Sequence, residues 1–273
     1  MKKGSLFQRM AAAPHIVWMV MFIVAPMLFV LYFAFTDTNG SFSLSNITSL
    51  SQYGNVFVLS IAFAFIATLI CLLIGYPLAY FMARSSRRMQ KMLMVLIMLP
   101  MWCNLLIRTY ALMALLDNGG LLNAFLESIG LNKLHIVGSD FGVILGMVYD
   151  FLPYMVLPIF TTMTKLDNRY IEAAHDLGCN NFQTMTKVVI PLTISGVISG
   201  VTMVFVPSIS TFYISQKLGG GTFELIGDTI ERQFVSGALN TGAAISLVMM
   251  ILILISLGIM NKFSDADEGG IIV

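Results

Sequence analysis

Long apolar runs separated by short polar connections set the pattern of this chain. Six runs reach the roughly 20 helical residues needed to cross a bilayer core about 30 Å thick: about 15 to 36, 56 to 83, 92 to 116, 138 to 164, 188 to 214 and 242 to 261. The pattern predicts an all-α integral membrane protein with six transmembrane helices in one domain, residues 1–273. Pro153, Pro158, Pro191 and Pro207 interrupt the fourth and fifth runs. Such breaks survive where the freed backbone groups face protein or water, so these two spans are expected inside the bundle. Lys2, Lys3 and Arg9 precede the first run, as in a secretion signal. That run exceeds the roughly 7 to 15 residues of a signal core, and no small-x-small cleavage site follows it, so it is expected to stay as the first span.

The polar stretch YIEAAHDLGCNNFQTMTKVVIPL, Tyr170 to Leu192, breaks this pattern between the fourth and fifth runs. Asp167 or Asn168 can cap a helix starting near Arg169, and Gly178 supplies the left-handed residue that ends it. Tyr170, Ala173, Ala174 and Leu177 then share one face, with Arg169, Glu172, His175 and Asp176 elsewhere. A helix this short is below the roughly 12 to 15 residues at which isolated helices become marginal in water, so contacts must hold it. A lipid-surface helix would carry basic residues on its polar face and large aromatics on the other. Here the apolar face is small, and Glu172 and Asp176 oppose anionic lipid, so the spacing points to protein docking. Asn181 can cap a second helix from Phe182, running through a kink at Pro191 into the fifth span.

Charge placement orients the spans. Lys2, Lys3, Arg9, Arg84, Arg87, Arg88, Lys91, Lys165, Arg169, Lys187 and Lys262 fall on one side; Lys133, Lys217 and Arg232 fall on the other. By the positive-inside rule, both termini and the polar stretch are cytoplasmic. The net charge of +1 averages over this asymmetry and by itself says nothing about nucleic-acid or acidic partners; the expected surroundings are the lipid bilayer, with no nucleic acid. With 58% hydrophobic and 11% charged residues and a mean hydropathy of +0.86, the chain is far from the roughly one-quarter charged residues of soluble domains. On the external side, Leu122, Phe125, Leu126 and Ile129 form one helical stripe, and Phe223, Ile226, Ile230 and Phe234 another. Both are read as capping surfaces, with a specific partner site as the alternative.

A charge within lipid is costly, so ionisable residues inside spans are candidates for function. Asp150 lies near the middle of the fourth run, with Tyr154 one turn on. A carboxylate with an aromatic rim suits a cationic amine; pairing with Arg108 is the competing reading. Arg108, sixteen residues into the third span, would lie roughly 24 Å across and could snorkel to the outer interface. Asn104 and Arg108 share a face near Trp102. Ser208 and Tyr213 flank the break at Pro207 and are candidates to line a path or to bond between helices. Gly196 and Gly200 form a small-x-x-x-small pair for close packing, with a subunit interface as one possible partner. Cys71, Cys103 and Cys179 lack metal or redox spacing, and the 20 methionines have no Cys or His at ligand geometry, so neither metal nor catalytic residues are expected. No G-x-x-x-x-G-K-[ST], H-E-x-x-H or G-x-S-x-G occurs.

Glu172-Ala173-Ala174, Gly178, and VVIP ending at Pro191 resemble the E-A-A-x-x-x-G…I-x-L-P signature of the permease subunits of ABC importers. Val188 and Ile190 are conservative departures from it. LPMWCNLLIRTYALMALLDNGGLLN, LPYMVLP, KLDNRYIEAAHDLG and FYISQKLGG extend the resemblance, over about residues 10 to 260, to B-type permeases of spermidine/putrescine importers. The resemblance implies a type I importer fold, multi-pass in a bacterial inner membrane. The polar stretch, about 165–187, is then a coupling loop, with Glu172, Ala173, Ala174, Leu177, Gly178, Phe182 and Pro191 linking ATP hydrolysis to the spans. It further implies ATP-binding subunits, as a homodimer, holding ATP and Mg; a second homologous permease; and an extracellular polyamine-binding protein. The substrate path would take in Asp150, Tyr154, Trp102, Asn104, Arg108, Ser208 and Tyr213. A related permease for thiamine, ferric iron or phosphonate is the alternative. A secondary transporter would show internal repeats and several midplane charges, which the sequence lacks.

Overall fold

The fold is taken from a computed structural model, which describes residues 6–37, 40–222 and 224–268. Lys2, Lys3 and Phe223, used above for orientation and for the second external stripe, lie outside the described residues. The described chain is almost wholly helical. In order, the helices used below are α1 (Ala13–Ala34), α2 (Gly54–Arg84), α3 (Arg87–Trp102), α4 (Leu105–Leu116), α5 (Leu121–Ser128) and α6 (Asp140–Met163). They continue as α7 (Asn168–Asp176), α8 (Asn181–Leu192), α9 (Ile194–Ser210), α10 (Tyr213–Leu218), α11 (Ile226–Val235) and α12 (Leu239–Glu268).

Among the described residues, five helical stretches are long and apolar enough to cross a bilayer, and α8 with α9, bent by 69°, makes a sixth. The third stretch differs from the 92–116 expected. It divides at Cys103, where the backbone is extended (φ −77°, ψ 145°), and the span that qualifies is Leu105–Ser128. Asn104 restarts the helix as its cap, its Oδ1 accepting from the Leu106 amide at 2.8 Å. This satisfies a donor that a helix start would otherwise leave bare.

Proline shapes two of the spans in the same way. Pro26 and Pro191 are each preceded by one π turn, Val20–Val24 and Met185–Val189, where an amide bonds five residues back (Ala25 to Val20 and Ile190 to Met185). A proline removes one i→i−4 donor and crowds the carbonyl one turn below, and a wider turn accommodates both. The sharp bend before α9 falls at Thr193 (φ −114°, ψ 8°) rather than at Pro191. There the Thr193 hydroxyl bonds Val189 O at 2.8 Å and lies 2.9 Å from the Tyr76 hydroxyl.

The chain forms two compact units, 1–54 with 229–252, and 55–228 with 253–273. In the first, Asn46 and Asn240 both direct their side-chain amides to Thr36 O, closing the carbonyl end of α1. The second is built on α6. Val143, Met147, Phe151, Met155, Ile159 and Met163 recur every fourth residue and are all buried. Glycines on neighbouring helices admit this ridge. A Cβ at Gly196 would meet Thr162 Oγ1 at 2.6 Å, and one at Gly200 would meet Met155 Sδ at 2.8 Å. The small-residue pair on α9 therefore serves packing within the chain rather than a subunit interface.

Candidate functional site

Every fourth residue of α6 faces the core, and Asp150 follows from that register. It lies one residue before Phe151 and is fully buried. Its partners come from the first turn of α4. Arg108 Nη2 stands 3.1 Å from Asp150 Oδ1, and the Thr109 hydroxyl stands 3.2 Å from Oδ2. Arg108 is itself only 7% exposed, so it does not snorkel. The 24 Å estimate assumed one continuous helix; the break at Cys103 restarts the count and lets Arg108 turn inward toward α6. Arg108 Nε and Nη1 and Asp150 Oδ1 are buried without any hydrogen bond. The pair is thus close in distance and poor in hydrogen bonding. Each unmet buried polar atom costs about 1–3 kcal/mol, so the guanidinium and carboxylate keep unused bonding capacity.

The other residues proposed for a path are less closely joined. Tyr154 is partly exposed one turn beyond Asp150, its ring 6.4 Å from that of Phe151. Ser208 is buried, and its hydroxyl bonds Val204 O at 2.7 Å, one turn back along α9. Asn104 is occupied as the cap of α4. Trp102 is 76% exposed at the end of α3, beyond the break. Tyr213 opens α10, its ring edge to face with that of Tyr110, centroids 5.8 Å apart. Thr109 and Tyr110 were not singled out from the sequence. Their only signal is adjacency to Arg108, which acquires meaning once α4 is known to start at Asn104.

At the C-terminal end of α6 the chain turns into α7. Asp167 is its cap, accepting from the Arg169 amide at 3.0 Å. Gly178 (φ +82°) ends it: Cys179 N bonds Ala174 O at 3.0 Å and Gly178 N bonds His175 O at 2.9 Å. This paired closure requires a left-handed residue, hence glycine. The cap of α8 is Asn180 rather than Asn181, because Asn180 and Gln183 exchange bonds at 2.8 and 3.0 Å in a capping box. Arg84 Nη1 donates to Asn168 Oδ1 at 2.6 Å and ties the end of α2 to the start of α7. A cavity of about 450 Å³ opens beside this bond, lined by Arg87, Gln90 and Asp167 among others.

The face expected for α7 splits in two. Ala174 is buried and Ile171 packs on the core, whereas Tyr170, Ala173 and Glu172 are exposed. Leu177 is 86% exposed and Phe182 75% exposed at the α7–α8 corner. The helix therefore uses its Ile171/Ala174 side to seat on its own chain and leaves a second apolar side free.

A family model described as binding-protein-dependent transport system inner membrane component matches residues 75–267, which includes both α7 and the Asp150 pair. The spermidine/putrescine transport system permease protein PotB of Haemophilus influenzae is 37% identical over 257 residues, covering 90% of each chain. PotB of Escherichia coli K12 is 36% identical over 254 residues, covering 87% of this chain and 92% of that protein. Among solved structures, a bacterial ABC transporter involved in the import of the polysaccharide alginate superposes with a TM-score of 0.76 at 18% identity, covering 95% of each chain. At that identity it bears on the fold alone. With the family model spanning most of the chain and relatives above one-third identity over about nine-tenths of their length, this multi-pass protein belongs to the inner membrane components of binding-protein-dependent transport systems, the permeases of ABC importers.

Proposed function

We propose that the chain is one of two permease subunits of an ATP-driven polyamine importer, and that α7 with the start of α8 is the element an ATP-binding subunit grips. The observation that carries this reading is the α7–α8 corner, where Leu177 and Phe182 stand bare beside Glu172 and Ala173. Water does not favour large apolar side chains held out on a rigid, capped corner. A protein groove that buries them removes that cost. The 69° elbow at Thr193 lies between this corner and α9, so displacement of α8 would swing α9 about a hinge instead of pushing along its axis. Glu172, Ala173, Ala174, Leu177, Gly178, Phe182 and Pro191 form the coupling element in this reading. ATP and Mg belong to the partner subunits, expected as a homodimer.

The distribution of Lys and Arg supports a cytoplasmic position for both termini and for α7. The cargo reading rests on the named relatives together with Asp150. In it, Asp150 is the carboxylate available to an amine when Arg108 yields it, and Tyr154, Ser208 and Tyr213, with Trp102 and Asn104, line the route. A sister permease completes the route, and an extracellular binding protein delivers the polyamine.

Purification of the tagged chain from its native membrane tests the assembly. Recovery of a nucleotide-binding subunit, a homologous permease and a polyamine-binding protein is expected. Recovery of the chain with a binding protein for another cargo would keep the architecture and overturn the polyamine assignment. Recovery without any nucleotide-binding subunit would overturn the coupling role.

A further inference from the structure

The turn from α2 into α3 gathers the cations Arg84, Arg87, Arg88 and Lys91. Among the described residues none of them pairs with a carboxylate; the ion pairs there are Arg108–Asp150, Lys133–Glu127 and Arg169–Asp167. The turn does not need these cations to close. The Gln90 side-chain amide donates to Ala83 O and to Ser85 O, both at 3.0 Å, and Ser86 caps α3 by accepting from the Met89 amide at 3.4 Å. Arg84 spends one N–H on Asn168 and holds its guanidinium 5.5 Å from the centroid of the Tyr80 ring, so most of its donors stay unused.

Arg84 and Arg87 line the cavity of about 450 Å³ beside the Arg84–Asn168 bond, together with Ala83, Met163 and Leu166, which pack into the core. The acid on its wall, Asp167, is already engaged. Its Oδ1 accepts from the Arg169 amide at 3.0 Å, and its Oδ2 stands 3.9 Å from Arg169 Nε. The cavity therefore carries an excess of positive charge, and its volume falls within the roughly 300–1,000 Å³ of small-ligand pockets.

Basic residues that only set topology would extend separately into water. Here two arginines line one cavity, and an apolar track leads away from it. Arg88, Met92, Val95 and Leu99 recur at helical spacing along α3, and the last three are 51%, 52% and 52% exposed. Leu93, Met94 and Ile97, on the opposite side, pack on the core. Helical spacing puts Arg87 at the border between these two faces. A molecule with a phosphate at one end and long apolar chains at the other matches both parts. A second permease seated on the same track would have to supply acidic side chains to the cations at its head, whereas a phospholipid brings its own anion.

We propose that the cavity and the α3 track form a binding site for an anionic phospholipid of the leaflet on the α7 side. Arg84 and Arg87 hold its phosphate, Arg88 and Lys91 surround it, and its acyl chains run along Met92, Val95 and Leu99. The guanidinium fork matches phosphate oxygens two at a time, and basic pockets between membrane helices hold such headgroups. Arg84 also holds Asn168, the first residue of α7, so the headgroup sits at the root of that helix.

The test uses the complete transporter in phosphatidylcholine nanodiscs doped with phosphatidylglycerol that carries a diazirine in one acyl chain. Labelled residues are mapped by mass spectrometry. Label is expected on residues 92–99, and excess unlabelled phosphatidylglycerol should compete it away where phosphatidylcholine does not. Arg87→Gln with Arg88→Gln should lower labelling about tenfold. Arg87→Lys with Arg88→Lys, which keeps the charges, should lose only a few-fold. Equal labelling by the same diazirine on phosphatidylcholine would mean bulk lipid only and overturn the proposal, as would labelling indifferent to the Gln pair. Inorganic phosphate competing as well as phosphatidylglycerol would assign the cavity to a free anion instead. Label that appears only after the ATP-binding subunits are stripped off would give the cavity to that partner, and an unlabelled α3 that cross-links to the sister permease would give the track to that subunit; either result overturns the lipid site. Should the Gln pair fail to assemble, competition between the two unlabelled lipids on the parent protein decides alone. The readout requires no transport, so it stands apart from the cargo reading.

Discussion

The Asp150 pair and the α7–α8 corner are inverses. At Asp150 the chain holds charge where its surroundings are apolar; at Leu177 and Phe182 it holds apolar surface where the element is exposed. The first conflict is resolved inside the chain, by Arg108 and Thr109 from a different helix. The second has no partner among the described residues, where Ile171 and Ala174 already supply the contacts that seat α7. A buried charge must find its counter-ion for the fold to exist at all, because an unpaired one costs several kcal/mol. An exposed leucine costs far less, so a fold can carry it until another subunit arrives. Stability and assembly are therefore expected to respond oppositely at the two places.

Asp150→Ala is expected to have the largest effect. Leaving Arg108 buried and unpaired should destabilise the chain by about 3–5 kcal/mol, read as a lowered midpoint of thermal unfolding in detergent. Adding Arg108→Leu should recover much of that stability while polyamine uptake stays low. A single variant as stable as the parent would break the contrast, showing that the pair is not what holds α4 to α6. At the corner, Leu177→Asp with Phe182→Asp should leave the unfolding midpoint of the isolated chain nearly unchanged. The same double variant should weaken binding of the ATP-binding subunit by at least tenfold, since burying one such side chain contributes about 1.5–3 kcal/mol. Pull-down titration measures this, and unchanged binding would remove the corner from the interface.

Smaller effects sharpen the comparison. Glu172→Lys reverses an exposed charge on α7 and should reduce ATPase stimulation by cargo-loaded binding protein several-fold, without altering the fold. Normal stimulation with normal copurification would argue against docking through this face. Gly178→Ala places a Cβ at φ +82° and should cost about 1–2 kcal/mol. Open space surrounds that position, so the cost is conformational rather than steric. Raised protease sensitivity of the α7–α8 segment is the expected readout, accompanied by a fall of a few degrees at most in the global unfolding midpoint.

Hydrophobic length alone marked out the apolar stretches, because burying about 20 consecutive apolar residues has few solutions other than a membrane helix. Local chemistry marked α7 equally well. A capping acid, a short polar-faced turn and a terminal glycine are constraints between neighbours in sequence, and sequence displays neighbours. The same locality explains the small errors, such as Asn180 rather than Asn181 as a cap, where two adjacent residues of one type both satisfy the rule.

Tertiary structure decided whatever depended on the relative rotation of helices distant in sequence. That Arg108 turns inward to Asp150, that Gly196 and Gly200 receive α6 of the same chain, and that Tyr110 and Tyr213 meet edge to face all follow from two features. One is the break at Cys103, and the other is the elbow at Thr193. Each resets the helical phase of everything beyond it. Periodicity reports which residues share a face only while the helix is unbroken, so a single extended residue between two apolar runs reassigns every face downstream. The composition scarcely registers such a residue, and packing alone fixes where the new face points.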